Sequence, residues 1–192
     1  QPLDQFSSQV RQDVVVVEKP ETLSRALELG MALAASDFDV AFLYEVWTDD
    51  VQALLLTPMV GKLQSVVEGP PGGTSTVFVT LGAAVPLVAK TSSGLCALGI
   101  TRKIQEHIFH TFSFQGSLPR DADALSQKSV MLCRLDAGPG VLDLYSTHLY
   151  NGGGISSDGP SDEERLAIQM MQIAEIIQFI KDTHSKENVA LL

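Results

Sequence analysis

Apolar residues recur at three- and four-residue steps at Leu23, Ala26, Leu27, Gly30, Met31 and Ala34, behind a proline at position 20 that a first helical turn tolerates. This spacing predicts an amphipathic helix over 20–35. Ser36 and Asp37 break it, and a strand over 40–45 follows a very short turn. Thr48, Asp49 and Asp50 supply a cap and first-turn acids for a second helix through Leu56, with Pro58 bending or restarting it towards Val67. The Gly69-Pro70-Pro71-Gly72-Gly73 cluster ends that segment, and strands are predicted over 76–80, 94–98, 104–109, 130–136 and 141–147. Ala137-Gly138-Pro139-Gly140 is too short to join anything but antiparallel neighbours, so the last two strands form a hairpin. After a glycine-rich loop from Asn151 to Pro160, Ser161 and Glu164 make a capping box. Leu166, Met170, Ile173, Ile177 and Ile180 then mark the apolar face of a long helix ending near Asp182, and a last strand starts at Asn188. Helices alternate with groups of strands and no internal repeat is visible, which is an α/β layer pattern.

Composition narrows this picture. With 192 residues, 45% hydrophobic and 19% charged, the chain has enough apolar material for one domain with a sizeable core. Its most apolar stretch, 77–89, is interrupted by Thr80, Gly82 and Pro86 and falls short of the roughly 18 to 20 residues needed to cross a bilayer. A net charge of −10 repels a polyanion unless a local basic groove or a bound cation overrides it, which disfavours nucleic acid as the main partner. Cys96 and Cys133 both lie in apolar runs where buried free thiols are common, and they do not fix a redox compartment.

Two positions stand out chemically. The run from Val40 to Leu43 leads into Tyr44 and Glu45, reading as a strand buried on both faces that carries its one charge out to a sheet edge. His148 follows the last strand of the hairpin in Ser146-Thr147-His148-Leu149. Each has an ordinary reading, a solvated strand-end charge and a satisfied surface or core histidine. His107 and His110, three apart in a strand, point to opposite faces and read as structural. Arg165 either serves a site or pairs with Asp162 on its own helix, Asn151 to Gly154 is either an anion-binding nest or a plain loop, and Lys128 either serves a site or opens a strand. The chain has no Gly-x-Ser-x-Gly elbow, no Gly-x-x-x-x-Gly-Lys loop, no His-Glu-x-x-His and no Cys-x-x-Cys.

Five short strings occur in one order: Asp39 to Trp47 around Glu45, Ser93 to Ile104, Lys128-Ser129-Val130, Ser146-Thr147-His148-Leu149, and Arg165 with Gln169 four residues on. Together they resemble the endonuclease/exonuclease/phosphatase superfamily, in the style of neutral and bacterial sphingomyelinases. Tyr44 stands where that family usually has glutamine, Thr101 where it has serine and Lys103 where it has proline. The resemblance implies a four-layer α/β/β/α sandwich and a metal-dependent phosphodiester hydrolase, with Mg²⁺ on Glu45 and His148 as the catalytic residue at the phosphate. The implied partner is a phosphodiester substrate, a phospholipid headgroup such as that of sphingomyelin, with a membrane surface as a second partner. Nuclease or inositol-phosphate phosphatase chemistry, or a non-catalytic binding relative, are the competing implications.

The same resemblance calls for an asparagine on a first strand, a Gly-Asp-x-Asn turn and a terminal Asp-His pair. Gln1 to Gln12 holds no such strand, Asp13-Val14-Val15-Val16-Val17 offers only an aspartate, and the other two motifs are lacking. The expectation is therefore that 1–192 is a single incomplete domain, the N-terminal and middle part of the sandwich, inactive alone. If the remainder supplied the second sheet, the inner face of this one would be left bare and the chain poorly stable.

Overall fold

The first helix, α1, spans Pro20–Ala35, and its two C-terminal carbonyls at Ala34 and Ser36 are taken by Lys62 Nζ at 2.5 and 2.6 Å. β1 (Val40–Leu43) follows, then α2 (Asp49–Leu56), whose N-cap Thr48 accepts from the Val51 amide. The computed structural model describes residues 20–70, 75–80, 84–89, 92–116, 121–152 and 159–192, so the sequence readings on residues 1–17 and on 153–158 lie outside it. Pro58 does not restart the helix. A 3-10 turn at Thr57–Met59 leads through Gly61, at φ +84°, into β2 (Ser65–Glu68), where the adjacent β-branched Val66 and Val67 prefer a strand to the helix expected there.

Seven further strands and a helix complete the order: β3 (Ser75–Thr80), β4 (Ala84–Ala89), β5 (Cys96–Gly99), β6 (Ile104–Thr111), β7 (Ser129–Asp136), β8 (Val141–Thr147), α3 (Asp162–Thr183) and β9 (Val189–Leu191). β1, β5 and β2 form one antiparallel sheet in that spatial order, and β6, β7, β8 and β9 form another. Among the described residues β3 and β4 pair only with each other. The β7–β8 hairpin is as expected, closed by Ala137 N to Gly140 O at 2.9 Å, while β8 and β9 are parallel and α3 is their crossover.

Side-chain alternation along the central strands separates three apolar layers. On β5, Cys96 and Leu98 face Ala26, Leu33, Val51, Leu55 and Met59 of the α1–α2 layer. Leu95 and Ala97 face the other way, against Met131, Cys133 and Leu135 of β7. Val130 and Leu132 of β7 turn outward onto Ile176 and Phe179 of α3. The result is helix, sheet, sheet, helix: the four-layer α/β/β/α arrangement, with both sheets supplied by this chain. Among the described residues the inner face of each sheet meets the other, and Met131 and Cys133 are fully buried between them.

Three sequence expectations need correction. Among the described residues β1 lies at the edge of its sheet, and although Ala41 and Leu43 meet the helices and Val40 and Phe42 meet the second sheet, all four residues are only half buried. On α1 the buried line is Ala26, Gly30 and Leu33, and Leu27 and Met31 point to solvent. On α3 the buried line is Ile168, Gln172, Ile176 and Phe179, whereas Leu166, Met170 and Ile177 of the expected core face are exposed. A helix with apolar residues around much of its circumference leaves its rotation to its polar anchors. Gln172, Glu175 and Thr183 all bond to the sheet side of the fold. No described helix is long and apolar enough to cross a membrane.

The outer face of the second sheet also buries a charge. Asp143 of β8 is fully inaccessible and accepts from Arg134 Nε at 3.1 Å, His184 Nδ1 at 3.1 Å and Asn188 Nδ2 at 2.8 Å. Arg134 adds Glu106 at 2.7 Å and the Thr183 carbonyl at 2.5 Å, so one network ties three strands to the end of α3.

Candidate active site

Glu45 is the one described non-glycine residue with positive φ, at +65°. An L-residue in this left-handed region is strained, by about 1–3 kcal/mol, and persists where its surroundings fix it. Here Val46 N donates to the Gly94 carbonyl at 3.0 Å, and Trp47 lies over Gly94 so closely that a Cβ at that glycine would stand 3.0 Å from the indole. Trp47 Nε1 donates to Glu45 Oε2 at 3.3 Å. The turn swings the carboxylate off the end of β1 and towards the other sheet.

His148, just past the end of β8, meets it there: Nδ1 lies 3.3 Å from Glu45 Oε1. The contact is close but not aligned as a hydrogen bond, and Nδ1 is buried without a partner among the described residues. Tyr44 bridges the same two strands, its hydroxyl 2.9 Å from Ser146 Oγ and its ring edge-on to the His148 imidazole at 6.0 Å. Two strand ends from different sheets, 103 positions apart, thus share one rim of the sandwich. Burial, and then the Lys128 charge, lower the pKa of His148 against opposing pulls from Glu45 and Asp123, so the ring is neutral at pH 7.

The segment after His148 is clamped from behind. Lys128, only 1% exposed, donates to the Leu149 carbonyl at 2.8 Å and lies 3.3 Å from Asp123 Oδ2. That same oxygen accepts from the amides of Asn151 at 2.7 Å and Gly152 at 3.0 Å. The amides of Asn151 and Gly152, the two described residues of the Asn151–Gly154 segment, are thus taken by this chain's own carboxylate. Tyr150 bonds to Asp121 through its hydroxyl, to Gln172 through its amide and to Gln169 through its carbonyl. Arg165 pairs with Asp162, the ordinary alternative, and its stem covers Gly152, where a Cβ would stand 2.7 Å from Arg165 Cδ.

His107 and His110 do face opposite ways: His107 stacks edge-on to Phe109, and His110 bonds Glu175 of α3 at 2.7 Å. Asp121, Asp123 and Tyr150 escaped the sequence reading, because the 3-10 turn and the segment after β8 that carry them are too short for a periodic signal. Gln172 did carry one, as a polar residue at core spacing between Ile168 and Ile176.

Glu45 suits a hard cation. Its carboxylate is 62% exposed, and among the described residues no three His, Cys, Asp or Glu side chains group into a metal cluster. A single exposed carboxylate matches Mg²⁺, which takes one or two carboxylates and completes its shell with water and substrate phosphate.

No protein-family model and no curated protein matches this chain. Solved structures do. A Staphylococcus aureus beta toxin with bound magnesium ions matches with TM-score 0.64 and 17% identity, covering 89% of this chain and 56% of the toxin. Sphingomyelinase C from Streptomyces griseocarneus matches at TM-score 0.57 and 19% identity, over 82% of this chain and 52% of the enzyme. TDP2 from Caenorhabditis elegans matches at TM-score 0.54 and 12% identity, over 91% of this chain and 42% of that one. All three have the endonuclease/exonuclease/phosphatase fold, and so does this chain. It spans about half the length of these structures.

Proposed function

We propose that this chain carries part of a metal-dependent phosphodiester hydrolase acting on a choline phospholipid such as sphingomyelin. The observation that supports it is the 3.3 Å approach of Glu45 and His148 at one sheet rim, on a fold shared with a sphingomyelinase C. In this reading Glu45 holds Mg²⁺, which when bound supplies positive charge at a phosphoryl oxygen. His148, held neutral, hydrogen-bonds the phosphate and stabilises the charge that develops as the ester breaks. Lys128 and Asp123 position the imidazole by fixing the backbone that follows it. The chain spans 52% of the sphingomyelinase C it matches, and in this reading the activity belongs to the whole protein that carries it. The net charge of −10 favours this substrate over DNA or RNA.

The test is phosphocholine release from sphingomyelin vesicles by the protein carrying this chain, with and without Mg²⁺, beside nicking of plasmid DNA. Magnesium-dependent release that a Glu45→Gln variant loses is expected. Turnover unaffected by that substitution would remove the metal assignment, and nicking without phosphocholine release would move the substrate to nucleic acid.

A further inference from the structure

We infer that the outward stripe of α3 is the contact through which two copies of this chain pair, helix against helix and antiparallel. Leu166, Met170 and Ile177 are 59%, 57% and 49% exposed, and Ile173 between them is half-buried. The buried line of Ile168, Gln172, Ile176 and Phe179 already ties α3 to the second sheet. At 3.6 residues per turn the second stripe lies about 130° round the helix from that line and faces away from the sheet. Its residues are spaced by four, three and four positions, the interval of a coiled-coil seam.

Symmetry and charge select the occupant. The stripe has the same spacing read from either end. A copy turned end for end about a two-fold axis therefore sets Leu166 beside Ile177 and Met170 beside Ile173, and such an isologous contact closes at two. Glu163 and Lys181, both exposed, stand 18 residues apart, which is about five turns, so they lie on one side of the helix. The two-fold axis turns that side towards the same side of the other copy, and the reversal brings each Glu163 to the other copy's end of the seam, where Lys181 stands. Opposite charges at the flanks of an apolar seam fix its direction and register. Ala167 and Ala174 occupy this side between the two charges, and their small side chains leave the long ones room to cross.

A lipid surface fits the stripe less well. Helices that lie in a membrane interface ring their apolar face with lysine and arginine, whereas the first turn of α3 carries Asp162, Glu163 and Glu164. The seam from Glu163 to Lys181 is about 27 Å long at 1.5 Å per residue. One helix on each side buries an area at the low end of protein interfaces, under about 1,200 Å² in total, which suits a reversible dimer with a dissociation constant on the order of 10–100 µM.

Sedimentation of the whole chain at concentrations from about 1 to 300 µM tests this, and monomer should give way to dimer across that range. Met170→Glu sets a carboxylate against the apolar seam close to the axis and should weaken pairing about tenfold or more. Because Met170 is exposed, circular dichroism and melting of that variant should match wild type. Glu163→Lys and Lys181→Glu each bring like charges together and should weaken the dimer about threefold or more at low salt, while the double exchange rebuilds opposite charges and should restore it. A monomer at every concentration, or a Met170→Glu dimer as strong as wild type, would overturn the proposal. A double exchange no stronger than the single ones would overturn the antiparallel register. A monomer that floats with phosphatidylcholine–sphingomyelin vesicles, and no longer does so as Met170→Glu, would give the stripe to a lipid surface instead. Neither metal nor turnover enters these measurements, so their outcome is independent of the hydrolase proposal.

Discussion

Replacing Lys128 by methionine removes a cation while keeping the length and apolar volume of its stem. The wild-type ammonium is buried and holds the Leu149 carbonyl at 2.8 Å, and it faces an Asp123 carboxylate that binds two loop amides. Breaking a buried pair from one side leaves the other charge uncompensated and costs about 3–5 kcal/mol. Asp123 is 17% exposed and keeps its two amide donors, which places the expected loss near the lower end, about 3 kcal/mol. For a chain of this size that corresponds to a fall of roughly 6–12 °C in melting temperature. Urea unfolding followed by circular dichroism measures it, with the m-value unchanged if the denatured state is the same. The double variant with Asp123→Asn should recover at least about 1 kcal/mol relative to additivity, because the residues couple directly. Amide exchange at Asn151 and Gly152 should accelerate in Lys128→Met. A loss below about 1 kcal/mol, or a strictly additive cycle, would show that the segment behind His148 is held by something other than this pair.

Three further outcomes follow from the packing. Burial tends to raise the Asp143 carboxyl, but the bonds from Asn188, His184 and Arg134 outweigh it and hold its pKa below the usual value. Its contribution to stability is thus complete above the unfolded carboxyl's pKa near 4 and is lost as pH falls through the lower folded value, so urea midpoints should drop more steeply below about pH 4 in wild type than in Asp143→Asn. Gly30→Ala would push a methyl against the Leu55 carbonyl where α1 meets α2, with Pro58 Cδ 3.2 Å away, and thermal melting should show a loss of about 1–3 kcal/mol. Cys96 and Cys133 are buried and free, their thiols pushed up to about 12 chiefly by burial, so a thiol reagent at pH 8 should titrate neither in the native protein and both after denaturation.

Local chemistry explains which elements were legible in the sequence. α1, α2 with its Thr48 cap, the Ser161 capping box and the β7–β8 hairpin all rest on interactions between residues near in sequence, and those signals survive folding unchanged. β2 was hidden because the helical signal before Pro58 ran on into a segment whose partner, β5, lies about thirty residues later. The facing of α3 was misread for a related reason. Apolar spacing predicts that a helix is amphipathic, but two apolar stripes compete on this one, and Gln172 and Glu175 choose between them through partners more than twenty residues away.

The candidate site divides the same way. Glu45 at a strand end and His148 after another were visible because an ionisable residue interrupts an apolar run in each case. Sequence alone thus singled out two side chains as candidates, along with most element boundaries, since those depend on short-range sterics and hydrogen bonding. Tertiary structure alone decided that the two meet at 3.3 Å, that Glu45 adopts positive φ to do so, and that Lys128 turns inward to brace the loop. Those outcomes depend on stacking two sheets face to face, and the register of one sheet upon another is set by the whole packed core rather than by any segment of the chain.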